Sequence, residues 1–328
     1  MHAIVITRPG GPDVLEMHTV PTPQAQASEV LVRVHASALN RADLLQRRGL
    51  YPAPSGAPAD IPGMEFAGEI AAIGSSVQLW KPGQRVMGLI GGGAHAEYVV
   101  GHERTLVGVP ETLSWEQAAA IPEAFITAHD ALWVQAGLRP GERVLIHAVG
   151  SGVGIAAVQL TSTMNAVPFG TSRTPEKLDR AKELGLATGF AVPHAPTAGD
   201  GKRWAAAGGF DVVLDLAGGP YASASLQALA SRGRIMLVGT MAGSKTEVDL
   251  GLMLSKRAWI RGTVLRARPI EEKIALSQAF AKEIVPLFAS GVLKPVIDSE
   301  FSLRDVRRAH ERMETNESFG KIILRMDQ

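Results

Sequence analysis

The fold of this chain is decided by the stretch Val144-Leu145-Ile146-His147-Ala148-Val149-Gly150-Ser151-Gly152-Val153-Gly154-Ile155-Ala156-Ala157-Val158. Its first half is a short apolar run rich in β-branched residues, which is typical of a strand buried on both faces of a parallel sheet. Four small residues fall within positions 150–154, and apolar residues resume at helical spacing from Ile155. The pattern predicts a strand, a tight turn and a helix.

A turn of this kind is suited to bind a dinucleotide. The pyrophosphate of such a ligand lies on backbone N–H groups at the positive end of a helix, and small residues let the backbone approach it. The usual G-x-G-x-x-G pattern is not intact, because Val149, Ser151 and Gly154 stand at its three glycine positions. On this motif alone, a glycine-rich turn without any ligand is an equal alternative.

Length and composition bound the classes of protein that this chain can represent. Its 328 residues suffice for one large or two medium domains, and 46% hydrophobic residues with 20% charged residues suit a soluble α/β enzyme. The 33 basic residues nearly balance the 32 acidic residues, so nucleic acid is not an expected partner. We expect a small-molecule substrate instead.

Cysteine usage and the apolar runs indicate the compartment. The chain contains no cysteine, which excludes disulfides and thiolate zinc sites and favours a reducing environment. The apolar run at the N-terminus is too short for a signal peptide, and the stretch at 144–160 contains His147 and several glycines. We therefore expect a cytoplasmic protein with no membrane partner.

The first third of the chain consists of short β-type runs separated by Pro- and Gly-rich turns. The runs cover residues 4–7, 30–37, 65–73, 85–90 and 96–100. Their spacing predicts a compact, partly open β-barrel. A helical insert at Arg41–Arg47 precedes a Pro- and Ala-rich loop at 51–62.

From Ser114 onward, predicted helices alternate with predicted strands. Ser114 and Gln117 form an S-x-x-Q capping box, and Thr174-Pro175 is a typical helix start. After the opening strand, further strands are predicted at 167–172, 190–192, 211–217, 234–240 and 259–265. This alternation predicts a doubly wound parallel sheet covered by helices on both faces. The tail reads as a long helix at 270–290, a loop and a final strand at 322–324.

Several stretches together resemble one known family. They are Asn40-Arg41-Ala42-Asp43-Leu44, Gly63-Met64-Glu65-Phe66-Ala67-Gly68, Gly91-Gly92-Gly93 with Ala96-Glu97-Tyr98-Val99, Ala118-Ala119-Ala120-Ile121-Pro122, His147 to Gly154, and Gly320-Lys321-Ile322-Ile323-Leu324. In this order they resemble the zinc-free quinone oxidoreductases of the medium-chain dehydrogenases/reductases, related to zeta-crystallin. The run from Asn40 to Arg47 is most similar to the tumour-suppressor-inducible subgroup.

The resemblance implies an α/β protein with two domains. A GroES-like, partly open β-barrel would comprise residues 1–121 and 266–328 and form the catalytic domain. A Rossmann domain with a doubly wound parallel sheet would comprise residues 122–265, with NADPH in the cleft between the two domains.

The choice of cofactor depends on the end of the second predicted strand of the parallel sheet. A NAD enzyme places Asp or Glu there to bind the ribose 2′-hydroxyl, whereas this chain has Ser172 and Arg173, followed by Lys177. A hydroxyl and two cations suit the 2′-phosphate of NADPH, and the resemblance puts a phosphate-binding lysine at Lys177. The alternative is that both cations are ordinary solvated surface charges.

The resemblance implies a larger set of cofactor-binding residues. The set is Asn40, Thr127, Ser151, Gly152, Val153, Gly154, Ser172, Arg173, Lys177, Gly239, Thr240, Met241, Leu265 and Asn316. One departure concerns the adenosine, because relatives have Asn-Tyr where this chain has Ala191-Val192.

Three residues are candidates for catalysis: Asn40, Tyr51 and Thr127. The resemblance places the equivalents of Asn40 and Tyr51 in the quinone pocket near the nicotinamide, and the equivalent of Thr127 near its ribose. Each residue also has an ordinary explanation, namely a helix N-cap for Asn40, a partly exposed loop tyrosine for Tyr51 and helix packing for Thr127. Asp43, Asp215 and His147 are interpreted as structural.

No metal site is expected. The zinc alcohol dehydrogenases share this predicted architecture but use Cys and His ligands, whereas this chain has no cysteine and has Met64 in place of the usual histidine. Glu65 alone is not a metal site. Hydride transfer without a Lewis acid suits an electron-poor acceptor such as a quinone.

These observations favour an NADPH-dependent quinone oxidoreductase. The alternatives are an NADPH-dependent enone or enal reductase, and an NADPH-binding module with incidental activity. The predicted strand at 259–265 is apolar enough to need a cover, so we expect a homodimer through this strand, or a tetramer by further contacts.

Overall fold

The structure is a computed structural model that describes residues 1–326, and the chain divides into two compact units. One unit comprises Met1–Ile126 together with the chain from Leu265 onward, and the other comprises Thr127–Val264. The predicted boundaries fall after residues 121 and 265, so the structure moves the first boundary by five residues and the second by one. The reason is helix α3 (Pro122–His129), whose first turn belongs to the first unit because the Glu123 N–H donates to Glu65 Oε2 at 2.7 Å.

The first unit is built on a mixed, mostly antiparallel sheet. Strands β1 (His2–Ile6) and β2 (Leu15–Thr19) pair with each other. The other strands are β3 (Glu29–Ala38), β4 (Glu65–Ile73), β5 (Arg85–Leu89), β6 (Tyr98–His102), β7 (Leu106–Gly108), β14 (Ile297–Ser302) and β15 (Lys321–Arg325). They follow the order β14-β15-β3-β4-β5-β7, with β6 also paired to β3.

Strand β3 organises this sheet. Along one edge it pairs with β4 over most of its length. Along the other edge its first half pairs with β6 and its last residues pair with β15. Within the described residues, the outer strands β14 and β7 do not pair with each other. The partly open sheet that the sequence predicted is therefore confirmed.

Among the described residues, five helices lie wholly within the first unit. They are α1 (Arg41–Arg47), α2 (Trp115–Ala119), α9 (Ile270–Glu283), α10 (Val285–Ala289) and α11 (Val306–Glu314). Helix α2 starts as predicted, because Ser114 Oγ accepts from the Gln117 N–H at 3.2 Å and Gln117 Oε1 accepts from the Ser114 N–H at 2.9 Å. One face of α11 joins the apolar core around Phe66 and Leu39 through Val306 and Met313.

The second unit contains a six-stranded, fully parallel sheet. Its strands are β8 (Arg143–Ile146), β9 (Val167–Ser172), β10 (Thr188–Ala191), β11 (Phe210–Asp215), β12 (Leu229–Leu237) and β13 (Trp259–Gly262). The spatial order is β10-β9-β8-β11-β12-β13, which is 3-2-1-4-5-6 in the unit's own numbering. This is the order of doubly wound nucleotide-binding sheets, and it confirms the predicted Rossmann architecture.

Helices connect these parallel strands. They are α4 (Gly152–Thr163), α5 (Pro175–Lys182), α6 (Ala198–Ala205), α7 (Pro220–Ala228) and α8 (Leu250–Lys256). The order of the strands reverses between β8 and β11, so the turn after β8 lies at the switch point of the sheet, where such folds bind ligands.

Some element boundaries differ from the prediction. The last parallel strand ends at Gly262 instead of residue 265, although the Thr263 N–H still donates to the Leu237 carbonyl at 2.9 Å. The predicted strand at 190–192 is Thr188–Ala191, and the one at 96–100 is Tyr98–His102. Strands β2, β7 and β14 and helix α11 were not predicted, and the single helix predicted at 270–290 is divided into α9 and α10. Among residues 1–326, no helix combines the length and the apolar character needed to cross a bilayer.

Candidate functional site

The turn between β8 and α4 brings strand and helix into close contact. A Cβ atom built on Gly154 would lie 2.6 Å from the Ala148 carbonyl oxygen, so a side chain at this position does not fit. Ala148 adopts a left-handed backbone conformation (φ 51°), which L-residues seldom do. Such strain is typical of turns whose geometry is needed for function.

The first turn of α4 has free backbone donors. Ser151 is the N-cap, and its Oγ accepts from the Gly154 N–H at 3.1 Å. Within residues 1–326, the N–H groups of Gly152 and Val153 donate to no other group. Free N–H groups at a positive helix end bind anions, so this turn fits the pyrophosphate of a dinucleotide.

The end of β9 lies beside this turn because β8 and β9 are neighbouring parallel strands. Ser172 ends β9, and its Oγ accepts from the Thr174 N–H at 3.2 Å. Arg173 is exposed, and Lys177 is half-buried in the first turn of α5. The structure thus brings Ser172, Arg173 and Lys177 to the same edge of the sheet as residues 151–154.

Ala191 and Val192 stand where the resemblance implies an Asn-Tyr pair beside the adenosine. Val192 is buried and its N–H donates to the Ser172 carbonyl at 2.8 Å, so its side chain packs into the core. Tyr221, at the start of α7, is half-buried there. Burial raises the pKa of the Tyr221 phenol, and the charge of nearby Arg173 opposes this rise. Sequence reasoning missed Tyr221, since a single tyrosine at a helix start has no diagnostic spacing.

His147 and Asp215 have the structural contacts expected of them. His147 is fully buried, with Nδ1 2.9 Å from Thr171 Oγ1 and Nε2 2.7 Å from Ser225 Oγ. Burial lowers the pKa of His147 to about 4, so the ring is neutral at neutral pH. Asp215 Oδ1 accepts from the N–H groups of Ala217 and Gly218, both at 2.8 Å, and so holds the turn after β11.

The remaining predicted cofactor residues of the second unit are Thr127 and the segment 239–241. The segment follows β12, and Met241 is 53% exposed. Thr240 accepts at its carbonyl from the Gly243 N–H at 3.0 Å, so the segment forms a turn. Thr127 is buried in α3. Their roles toward a nicotinamide stay predictions.

In the first unit, Asn40, Glu65 and Lys321 form a buried ionic cluster. Lys321 Nζ lies 2.6 Å from Glu65 Oε1 and donates to Asn40 Oδ1 at 2.6 Å and to the Leu39 carbonyl at 2.9 Å. All three residues are at most 6% exposed. Because the Glu123 N–H donates to Glu65 Oε2, the cluster also ties the start of α3 to β4.

Asn40 is the N-cap of α1, as its ordinary explanation predicts, and its side chain also makes contacts outside this helix. Its Nδ2 donates to Glu65 Oε1 at 2.9 Å and to the Ala38 carbonyl at 3.4 Å. A capping bond at α1 runs from the Asn40 N–H to Asp43 Oδ2 at 2.7 Å. The amide hydrogens of Asn40 are therefore engaged within the protein. Its role toward a cofactor or acceptor stays a prediction.

Asp43 is also near a second buried polar group. Its Oδ1 accepts from the Gly63 N–H at 3.0 Å, and its Oδ2 lies 3.9 Å from His95 Nε2. Ser37 Oγ is 3.0 Å from His95 Nδ1. The three side chains resemble a nucleophile, base and acid in composition, but each is fully buried, so the arrangement has no access for a substrate.

Tyr51 is held by Arg266, which sequence reasoning missed. The guanidinium of Arg266 lies 5.1 Å from the Tyr51 ring centroid, and its Nη1 donates to the Tyr51 carbonyl at 3.4 Å. Burial raises the pKa of the Tyr51 phenol while the charge of Arg266 opposes the rise. Tyr51 therefore retains its proton at neutral pH and can donate a hydrogen bond.

Leu265 and Asn316 both lie in the first unit. Asn316 follows α11 in a left-handed conformation (φ 61°), where asparagine is favoured, and its Oδ1 accepts from Arg41. Leu265 is half-buried. Their predicted contacts with a cofactor stay predictions.

The described residues contain no group of three or more His, Cys, Asp or Glu side chains that could hold a metal ion. Met64 is buried, and the neighbouring Glu65 carboxylate is paired with the Lys321 ammonium. The expected absence of a metal requirement in solution stays a prediction.

Comparisons with known proteins agree with this architecture. Residues 26–111 match the family described as "Alcohol dehydrogenase GroES-like domain", and residues 188–324 match the one described as "Zinc-binding dehydrogenase". A quinone oxidoreductase of Pseudomonas aeruginosa is 34% identical over 324 residues, with 96% of this chain and 96% of the relative covered.

Solved structures show the same similarity. One described as an NAD-dependent alcohol dehydrogenase is 30% identical, with a TM-score of 0.86 and 100% of both chains covered. A mycobacterial protein solved in complex with NADPH is 27% identical, with a TM-score of 0.87, 99% of this chain and 100% of that chain covered.

The buried cluster generates a stability prediction. Lys321→Met removes the cation and leaves the Glu65 carboxylate buried, so we expect a loss of about 3–5 kcal/mol in the free energy of unfolding. Urea denaturation, monitored by tryptophan fluorescence, measures this free energy of unfolding. The double variant Glu65→Gln/Lys321→Met should recover most of the loss, and the exposed Lys81→Met serves as control. A single Lys321→Met variant as stable as the unmodified protein would contradict the role of the cluster.

Proposed function

This chain belongs to the quinone oxidoreductase family of the medium-chain dehydrogenases/reductases, and from that premise we propose that it reduces quinones with NADPH. Membership makes it an oxidoreductase. The observation that carries the proposal is the anion-binding turn at 151–154 beside Arg173 and Lys177, at the switch point of the parallel sheet. One similar structure is described as an NAD-dependent enzyme and another was solved with NADPH, so the fold is compatible with either cofactor and the choice of NADPH rests on Arg173 and Lys177.

The residues of the second unit fit the two phosphate-bearing parts of the cofactor, its pyrophosphate and its 2′-phosphate. The free N–H groups of Gly152 and Val153 bind the pyrophosphate. Arg173 and Lys177 bind the 2′-phosphate by charge-assisted hydrogen bonds. NADPH, when bound, supplies the hydride for the reduction.

In the first unit, Tyr51 donates a hydrogen bond to the compound that is reduced. Its protonated phenol hydrogen-bonds the acceptor oxygen on which negative charge develops during the reduction. Arg266 holds the loop of Tyr51 in place through the Tyr51 and Gly91 carbonyls. The reaction proceeds without a metal ion, because the chain has no cysteine and has Met64, where a histidine ligand would be needed, beside Glu65.

An enone or enal reductase is the second candidate function, since the same donor group can stabilise an enolate oxygen. A binding module with incidental activity is the third. NADPH oxidation measured with a panel of quinones and a panel of enones and enals separates them. We expect quinones to give the highest kcat/KM. Higher values for enones would favour the second function, and rates no better than free NADPH despite tight binding would favour the third.

Tyr51→Phe tests the role of the Tyr51 hydroxyl, because it removes only this group. Loss of the hydroxyl should lower kcat/KM for the preferred acceptor by about 1–2 kcal/mol, roughly a five- to thirtyfold decrease, and leave the Kd for NADPH unchanged. Steady-state kinetics and cofactor titration measure both quantities. An unchanged kcat/KM would return Tyr51 to the role of an ordinary loop residue.

The cofactor assignment predicts a preference for NADPH over NADH of about tenfold or more. Arg173→Ala and Lys177→Ala should each raise KM for NADPH by about tenfold and leave KM for NADH nearly unchanged. Lys182→Ala, an exposed change at the end of the same helix α5, is the matched control. Equal effects on the two cofactors would show that these cations do not bind the 2′-phosphate.

We also propose that the chain forms a homodimer through β13, with a tetramer as the alternative. In the part of the chain that the structure describes, strand β13 pairs only with β12 and is the outer strand of the sheet, and Val264 beyond it is 56% exposed. An outer strand offers unpaired N–H and C=O groups to a second copy. Two such strands related by a two-fold axis pair with each other and leave no free edge.

The dimer can be tested at a residue whose backbone N–H points away from β12. The Thr263 N–H points to β12, and N–H groups alternate along a strand, so the Gly262 N–H faces the free edge. Gly262→Pro removes this donor and should shift the protein toward monomer in analytical ultracentrifugation. Gly262→Ala is the control, because its Cβ would meet no atom within 4 Å and its N–H is kept. A monomeric unmodified protein at micromolar concentration would refute the dimer.

A further inference from the structure

The first unit contains a cavity of about 340 Å³ that none of the preceding assignments uses. Its walls are the loop after Tyr51, the Gly91 backbone and the start of α9. The lining residues are Pro54, Ser55, Gly56, Ala57, Gly91, Ala267, Arg268 and Lys273. The volume lies in the range of small-molecule sites in proteins.

The charge of this cavity is positive and is not balanced by its own walls. The lining contains Arg268 and Lys273 but no carboxylate. Lys273 is half-buried, and within residues 1–326 its ammonium makes no hydrogen bond or ion pair. Arg268 lies 4.0 Å from Glu272, whose side chain is 61% exposed. Burial and the charge of Arg266 both lower the pKa of Lys273.

Arg266 adds a third cation close to Lys273. It is 5% exposed, and its guanidinium donates to three neutral oxygens: Gly91 O at 2.7 Å, Gln46 Oε1 at 2.6 Å and Tyr51 O. These bonds use three of the five N–H donors of the guanidinium. No carboxylate hydrogen-bonds it within the described residues.

Lys273 is partly desolvated and has no counterion among the described residues, which is costly, and a ligand anion in the cavity would offset that cost. We propose that this cavity binds a carboxylate carried by the acceptor, with Lys273 as its direct partner and Arg266 and Arg268 adding to the positive field. This inference depends on the proposed function in one respect only, namely that the bound carboxylate is part of the molecule that is reduced. The chemical class that it names is an aromatic or unsaturated carbonyl compound with an acidic side group.

The test measures binding and needs no turnover, so it stands apart from the reductase assay. Naphthalene-2-carboxylate and naphthalene-2-carboxamide have nearly the same shape and differ in charge. Isothermal titration of both into the protein saturated with NADP⁺ should show the carboxylate binding about tenfold tighter. Saturation with NADP⁺ ensures that the carboxylate is not occupying a phosphate site of the cofactor.

Variants on one helix locate the binding. Lys273→Gln should abolish the preference for the carboxylate and leave the carboxamide unchanged, whereas Lys273→Arg should keep it. Lys282→Gln is the matched control, since Lys282 is exposed on α9 nine residues further on, which is the opposite face of a helix. Three results would each overturn the proposal. They are equal affinity of the unmodified protein for the two compounds, carboxylate binding that is lost when NADP⁺ saturates the protein, and an unchanged preference for the carboxylate in Lys273→Gln.

A protein that fails to reduce any quinone but shows the Lys273-dependent preference would refute the proposed acceptor and keep the carboxylate site. A quinone reductase without that preference would do the opposite. The two failures are therefore distinguishable.

Discussion

The first unit depends on the ion pair between Glu65 and Lys321, which lie 2.6 Å apart with almost no exposure. Glu65 is on β4 and Lys321 is on β15, so the pair joins two strands of one sheet that come from opposite ends of the chain. Asn40 and the Glu123 N–H bind the same carboxylate, which brings the starts of α1 and α3 to one point. A buried charge tolerates few positions of its partners, so this cluster fixes where four elements meet.

The second unit reaches its site by a different route. Its candidate residues at 151–154 and 172–177 come together because neighbouring parallel strands end at the same edge of the sheet. Beneath them, the neutral His147 lies between Thr171 and Ser225, and Asp215 Oδ1 accepts from two backbone N–H groups. Topology places the residues here, whereas individual charge contacts place them in the first unit.

This difference explains what the sequence could predict. Strand β9 was predicted to the residue and the turn after β8 was recognised, because apolar runs and small residues are local signals. Strand β14 and helix α11 were missed because their sequences are polar, and only their packing on β15 and the core shows them. Asn40 was predicted as an N-cap and is one, but the additional contacts of its side chain with Glu65 and Lys321, which are distant in sequence, were not predictable. Arg266 and Lys273 were missed for the same reason, since burial of a charge is not visible in local spacing.

The buried cations of the first unit can be compared with one another. Lys321 has Glu65 at 2.6 Å, and Arg47 has Glu314 at 2.5 Å. Arg266 is buried to a similar extent but donates only to neutral oxygens, two of them on the loops of Tyr51 and Gly91. A carboxylate at Arg266 would neutralise the charge and attract the guanidinium away from those carbonyls. Without such a hydrogen-bonded partner the guanidinium stays fixed on its neutral acceptors, and its charge adds to the positive field at Lys273.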